Sequence, residues 1–193
     1  MEKQSIDPDH YKLRRKRKSY DIPNQAHCLT FSCFQQRPFF SRPRCCQWML
    51  ESIADGRKKE LYDLLGYVIM PEHVHIIVVP KPNMLIRNIL ASLKLPVSKR
   101  ALLWVRQNAP SFLKQMEDRQ PNGDIHYRFW QRGGGYDRNL RSQDDIREKI
   151  NYLHANPIRR KLAANCSDWP WSSYHVWMSG EDTPIPVDRH LLL

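Results

Sequence analysis

The stretch LLGYVIMPEHVHIIVV, residues 64–79, decides how this chain folds. It holds two apolar runs, 64–70 and 73–79, both rich in β-branched residues, with Pro71-Glu72 between them and Pro80 closing the second. Two such runs across a tight break predict a hairpin of inner strands. The second run carries His73-Val74-His75. On a strand, alternate side chains share one face and stand about 6.6–6.8 Å apart along it. Both imidazoles can therefore reach one ion, although two buried, hydrogen-bonded histidines would show the same pattern.

Upstream, a run from Ala26 to Cys33 alternates, with Leu29, Phe31 and Cys33 on one face and Cys28, Thr30 and Ser32 on the other, which predicts a half-buried first strand. After Pro43, residues Cys45, Cys46, Met49, Leu50 and Ile53 recur at helical spacing until Gly56 and the basic Arg57, Lys58 and Lys59. Residues 1–20 carry a basic run from Lys12 to Lys18 and no apolar periodicity, so they read as an arm. Downstream, Leu85, Ile86, Ile89, Leu90 and Leu93 form the stripe of a second helix that Pro96 should end or kink near Leu95. Residues 107–125 read as a surface loop, the aromatic run 127–130 as a fourth strand, and glycines 133–135 as a turn. Ser142 with Asp145 resembles a capping box, and Ile146, Ile150 and Leu153 define a third helix ending at Asn156-Pro157.

The order β, α, β, β, α, β, α predicts an α+β fold. Its first six elements match the ferredoxin-like split βαβ, an antiparallel sheet with helices on one face, here followed by a C-terminal tyrosine-bearing helix. That fold hosts many activities and settles none. The expected organisation is a basic arm at 1–20, one nuclease-like domain at 21–164 and a Trp/Pro-rich extension at 165–193.

With 193 residues, 41% hydrophobic and 26% charged, the chain is sized for one globular domain rather than two or a disordered tail. A formal charge of +11 points to a polyanionic partner, and nucleic acid is the natural one. No apolar run approaches a membrane span and no signal-peptide core follows the first charges, so a cytoplasmic protein without a membrane partner is expected, as monomer or homodimer. Five cysteines without a C-x-x-C pair suggest reduced thiols rather than disulfides or a thiolate zinc site.

Chemistry enters with the third helix. Tyr152 and Asn156 stand four residues apart, about 40° and one turn on one helical face, and Tyr152 lies roughly 125° from the middle of the apolar stripe. Tyr152 therefore flanks the core. Asn156 could be a plain helix terminator before Pro157, and Tyr152 a rim residue; their coincidence with His73-Val74-His75, the charge and the element order is what makes a site.

The segments Met70-Pro71-Glu72-His73-Val74-His75, Phe129-Trp130-Gln131-Arg132, Tyr152-Leu153-His154-Ala155-Asn156-Pro157 and Asp168-Trp169-Pro170-Trp171-Ser172-Ser173-Tyr174 resemble those of the REP-associated tyrosine transposases, within the single-tyrosine HUH transposases. The resemblance runs over residues 20–174. It implies a divalent metal, Mg²⁺ or Mn²⁺, on His73, His75 and Asn156, with Tyr152 as the nucleophile. It implies partners that are single-stranded or hairpin DNA from repeated extragenic palindromes. The implied reaction is strand cleavage through a 5′-phosphotyrosine, followed by strand transfer. The basic residues expected on DNA are Arg14, Arg15, Lys16, Arg17 and Lys18 of the arm, with Lys94 and Arg132. Tyr136 is the alternative nucleophile. Competing readings are a hydrolase that uses water, and a noncatalytic DNA- or RNA-binding protein derived from a transposase.

Overall fold

Residues 64–79 form the hairpin their pattern predicts. In a computed structural model that describes residues 22, 24–180 and 185–192, strand β1 (Ala26–Ser32) leads through two short 3₁₀ turns to helix α1 (Pro43–Lys58). Strands β2 (Tyr62–Ile69) and β3 (His73–Pro80) follow, then helix α2 (Ile86–Asn108). A small ribbon of β4 (Glu117–Arg119) and β5 (Ile125–Tyr127) precedes β6 (Tyr136–Leu140), helix α3 (Gln143–Arg159) and the short α4 (Tyr174–Ser179). The main sheet is antiparallel with order β2-β3-β1-β6, the ferredoxin-like arrangement.

Period-two alternation gives the sheet two apolar faces. Leu29, Phe31, Val74, Ile76 and Val78 pack with Met49 and Ile53 of α1 and Ile89, Leu93 and Val97 of α2. On the other side Ala26, Val68, Met70 and Ile77 pack with Leu140, Ile150 and Leu153, so α3 occupies the face opposite α1 and α2. Each such fully buried aliphatic side chain contributes about 1.5–3 kcal/mol.

Three expectations are corrected. The fourth strand of the sheet is β6, not the run 127–130: Phe129 and Trp130 instead plug the core against Phe31, Phe39 and Phe40, where large rings bury more apolar area than a strand edge offers. Pro96 does not end α2, because Val97, Ala101 and Val105 continue the buried stripe of Ile86, Ile89, Leu90 and Leu93, and that packing outweighs one lost backbone bond. Helix α3 likewise passes Pro157 and ends at Arg159.

The segment after α3 covers the outer edge of β2. The Ile69 amide donates to Trp171 O at 2.8 Å, Ser173 N to Tyr67 O at 3.0 Å and Asp188 N to Leu64 O at 2.8 Å, while the Ser173 hydroxyl accepts from Tyr67 N at 2.9 Å. An edge otherwise open to strand addition is thereby paired. No helix among the described residues is long and apolar enough to cross a membrane, and all five cysteines are free.

Candidate active site

His73 and His75 point to the α3 side of the sheet because Val74 and Ile76, their alternates, are committed to the other face. Strand pairing sets Thr30 opposite His75 and Ser32 opposite His73. The turn before them is anchored on both sides, with Cys33 N donating to Glu72 O at 2.8 Å and Phe40 N to Pro71 O at 2.9 Å.

The polar contacts form one chain. Glu72 Oε1 lies 2.9 Å from His73 Nδ1, His73 Nε2 lies 2.9 Å from His75 Nε2, and His75 Nδ1 lies 2.6 Å from Thr30 Oγ1. Burial pushes the Glu72 carboxyl up, but the Arg160 hydrogen bond at 2.5 Å and His73 outweigh it and hold it below the usual range. Burial lowers His73 against the pull of Glu72, and burial with the neighbouring His73 drops His75 to about 3. Both shifts favour the neutral ring. A carboxylate only accepts, so His73 Nδ1–H donates to it; His75 Nε2–H then donates to His73 Nε2, and the Thr30 hydroxyl donates to His75 Nδ1. For His75 Nε2 to turn a lone pair toward a cation its proton must sit on Nδ1, where the same hydroxyl can accept it. Thr30 suits both states.

Two donors in adjacent positions on an ion with bonds of about 2.1 Å stand about 3.0 Å apart. The 2.9 Å between the two Nε2 atoms fits that requirement. Among the described residues no group of three His, Cys, Asp or Glu side chains could hold a metal ion. The sequence-expected amide is Asn156. It is buried, and it sits on α3 between Tyr152, which shares a pocket with His75, and Arg160, which bonds Glu72. Pro157 has no N–H for Leu153 O, and the Asn156 side-chain NH₂ donates there at 3.3 Å and to Tyr152 O at 2.9 Å. The amide oxygen is left to face other groups.

Tyr152 lines a pocket of about 290 Å³ with Thr30, His75, Tyr136, Arg138 and Lys149. Tyr152 is 43% exposed, so it is not sealed in the core. Lys149 Nζ stands 5.2 Å from the ring centroid and the Arg159 guanidinium carbon 4.7 Å, which puts two positive charges beside the Tyr152 ring.

Of the residues singled out from sequence, the fold brings His73, His75 and Tyr152 together, while Asn156 lies one helical turn beyond Tyr152 with its side-chain amide bonded to its own helix. Tyr136 lines that pocket too. Lys94 and Arg132 lie elsewhere: Lys94 donates to Gly133 O at 3.0 Å with its ammonium above the Phe31 and Trp130 rings, and Arg132 is paired with Asp118 at 2.9 Å. Arg14, Arg15, Lys16, Arg17 and Lys18 fall outside the described residues. Sequence reasoning missed Thr30, Glu72, Arg138 and Lys149. Glu72 adjoins the histidines in sequence, whereas Thr30 and Arg138 come into place only through strand register.

No protein-family model matches the chain. A solved structure described as a REP-associated tyrosine transposase bound to a REP hairpin superposes with a TM-score of 0.61 and 20% identity over 83% of this chain and 82% of that one. A Haemophilus influenzae protein provisionally named a REP-associated tyrosine transposase is 25% identical over 126 residues. The chain resembles the REP-associated tyrosine transposases. The matched segment is 64% of this chain and spans 65% of the Haemophilus relative's length. The structural likeness establishes the α+β fold with its four-stranded antiparallel sheet. A crystal structure provisionally described as a transposase from Deinococcus radiodurans also aligns, with a TM-score of 0.43 and 16% identity over 72% of this chain and 96% of that one.

Proposed function

We propose that this chain is a REP-associated tyrosine transposase: a metal-dependent single-stranded DNA endonuclease and strand transferase acting on REP-type hairpins. The observation that carries the reading is that Tyr152 and His75 line one pocket while His73 Nε2 stands 2.9 Å from His75 Nε2. His73, His75 and Asn156 would hold Mg²⁺ or Mn²⁺, since two neutral imidazoles and an amide oxygen leave room for waters and a phosphate oxygen. When bound, the cation polarises the scissile phosphate. Tyr152 Oη attacks phosphorus in line, the bond to the 3′-oxygen breaks, and the phenol proton ends on that oxygen as a 3′-hydroxyl. The 5′-phosphate stays on Tyr152, so a second 3′-hydroxyl can reverse the step and join strands without ATP. Lys149 and Arg159, beside the Tyr152 ring, supply the charge that draws the backbone into the pocket, whereas Arg138 is paired with Asp145 at 2.9 Å. The basic arm, residues 12–18, adds further phosphate contacts.

Protein, Mn²⁺ and a 3′-end-labelled hairpin with a single-stranded flank should give a denaturation-resistant adduct. Tyr152→Phe should remove the adduct and leave binding intact, and Tyr136→Phe should keep it. Loss in Tyr136→Phe with retention in Tyr152→Phe would transfer the nucleophile to Tyr136. Tight hairpin binding by wild type with no adduct would favour the noncatalytic reading.

A further inference from the structure

Just past the C-terminal end of β1 lies a second concavity of about 810 Å³, within the range of sites that hold ligands. Ser32, Gln35, Gln36, Gln131 and Arg132 line it, with glycines 133–135 closing one side. Ser32 belongs to the same face of β1 as Thr30 and pairs with His73, so the groove continues the metal-facing row beyond the strand end.

Its walls are fixed. Phe34 N donates to Phe129 O at 2.9 Å, Gln131 N to Ser32 O at 2.9 Å and Gln35 N to Gln131 Oε1 at 3.0 Å, and Lys94 clamps Gly133 O. Gln35 and Gln36 both hold left-handed backbone, at φ 53° and 54°, which non-glycine residues adopt only where surroundings force it and which gathers at functional sites. The Gln36 side chain is exposed and has no hydrogen-bond partner among the described residues. The groove carries one cation, Arg132, already paired with Asp118. It is an amide-lined surface rather than a phosphate track, and side-chain amides match base edges, with Gln bidentate to the N6 and N7 of adenine.

We propose that this groove seats an unpaired purine, adenine by preference, of the single-stranded flank, with Gln36 as the reading side chain. The proposal rests on the function proposed above and assigns where base selectivity in the flank arises.

The test uses the full chain in metal-free buffer with EDTA, so that no cleavage occurs. Hairpins with a randomised single-stranded flank are selected by binding and sequenced. Wild type should enrich adenine at one flank position, and an abasic residue there should weaken binding roughly tenfold, the loss expected for one bidentate contact. Gln36→Gly should lose both effects. Because glycine adopts positive φ freely, the same variant should show an unchanged or higher urea midpoint, which a merely structural role for Gln36 would not give. Binding with no enriched position, enrichment of a pyrimidine alone, or a Gln36→Gly protein that keeps the preference would overturn the groove and leave the proposed function standing. No binding of any hairpin would overturn both.

Discussion

Three adjacent glycines before β6 offer a graded test of how closely the glycine loop is fitted to β1. A Cβ on Gly134 would meet only Leu90 Cδ1 at 3.6 Å, ordinary contact, so Gly134→Ala should change stability by no more than about 0.5 kcal/mol. Gly133 has φ +89° and open space around it, so Gly133→Ala should cost about 1–2 kcal/mol from backbone strain alone. Gly135 has φ +87°, and its Cβ would fall 2.2 Å from Thr30 O and 3.1 Å from Phe31 Cα. Backbone cannot rotate away as a side-chain end can, so overpacking adds about 1–3 kcal/mol and Gly135→Ala should cost about 2–5 kcal/mol. Against a total of about 5–15 kcal/mol, that is a large share. Urea denaturation with a slope of about 2–3 kcal/mol/M would read a midpoint fall of roughly 1–2 M for Gly135→Ala and about half that or less for Gly133→Ala. Since Thr30 also carries the hydroxyl on His75, whatever Gly135→Ala protein folds should bind Mn²⁺ more weakly. Equal midpoints for the Gly133 and Gly135 variants would refute the reasoning.

Removing the outer partners of the histidines should act on metal affinity more than on fold. Thr30→Val and Glu72→Gln are each expected to weaken Mn²⁺ binding by about 10–100-fold in calorimetry, while Thr30→Ser stays near wild type; a Thr30→Val protein with wild-type affinity would remove the orienting role. Acid should destabilise the fold in a defined window. Burial lowers His154 to about 4, below its unfolded value, so its stabilising contribution is complete above about pH 6.5 and is lost as pH falls toward 4. His75 acts in the same sense. Each group can add up to about 1.4 kcal/mol per pH unit in that range, and His154→Gln should flatten the dependence of the urea midpoint; an unchanged slope would assign the acid sensitivity to other groups.

The hairpin, α1 and the start of α3 were legible because each has a strong local signal: β-branched runs around Pro71-Glu72, a stripe from Cys45 to Ile53, and a Ser142 side chain that accepts from Asp145 N at 3.1 Å as its spacing predicts. Strand β6 was not legible. Its sequence Tyr136-Asp137-Arg138-Asn139-Leu140 lies at a sheet edge with only Leu140 buried, so it lacks the apolar alternation that reveals an inner strand, and the richer aromatic run before it drew the assignment. In the candidate site, the shared face of His73 and His75 and the core-flanking place of Tyr152 were legible because each follows from spacing within one element. Thr30 and Lys149 were not, since their places depend on strand register and on how α3 lies across the sheet.

Pro157 touches no substrate in the proposed chemistry, yet it governs how Asn156 behaves. If the Asn156 amide turned over, its oxygen would face the carbonyl oxygens of Tyr152 and Leu153, two repulsive contacts in place of two hydrogen bonds. A hydrogen missing from the backbone thus locks the orientation of a side chain, and the oxygen that the proposed cation would meet is set in advance rather than chosen on binding. Restoring that hydrogen with Pro157→Ala would release one of the two restraints. The helix should gain stability while Mn²⁺ affinity falls, and a variant that gained both would show that the amide needs no such lock.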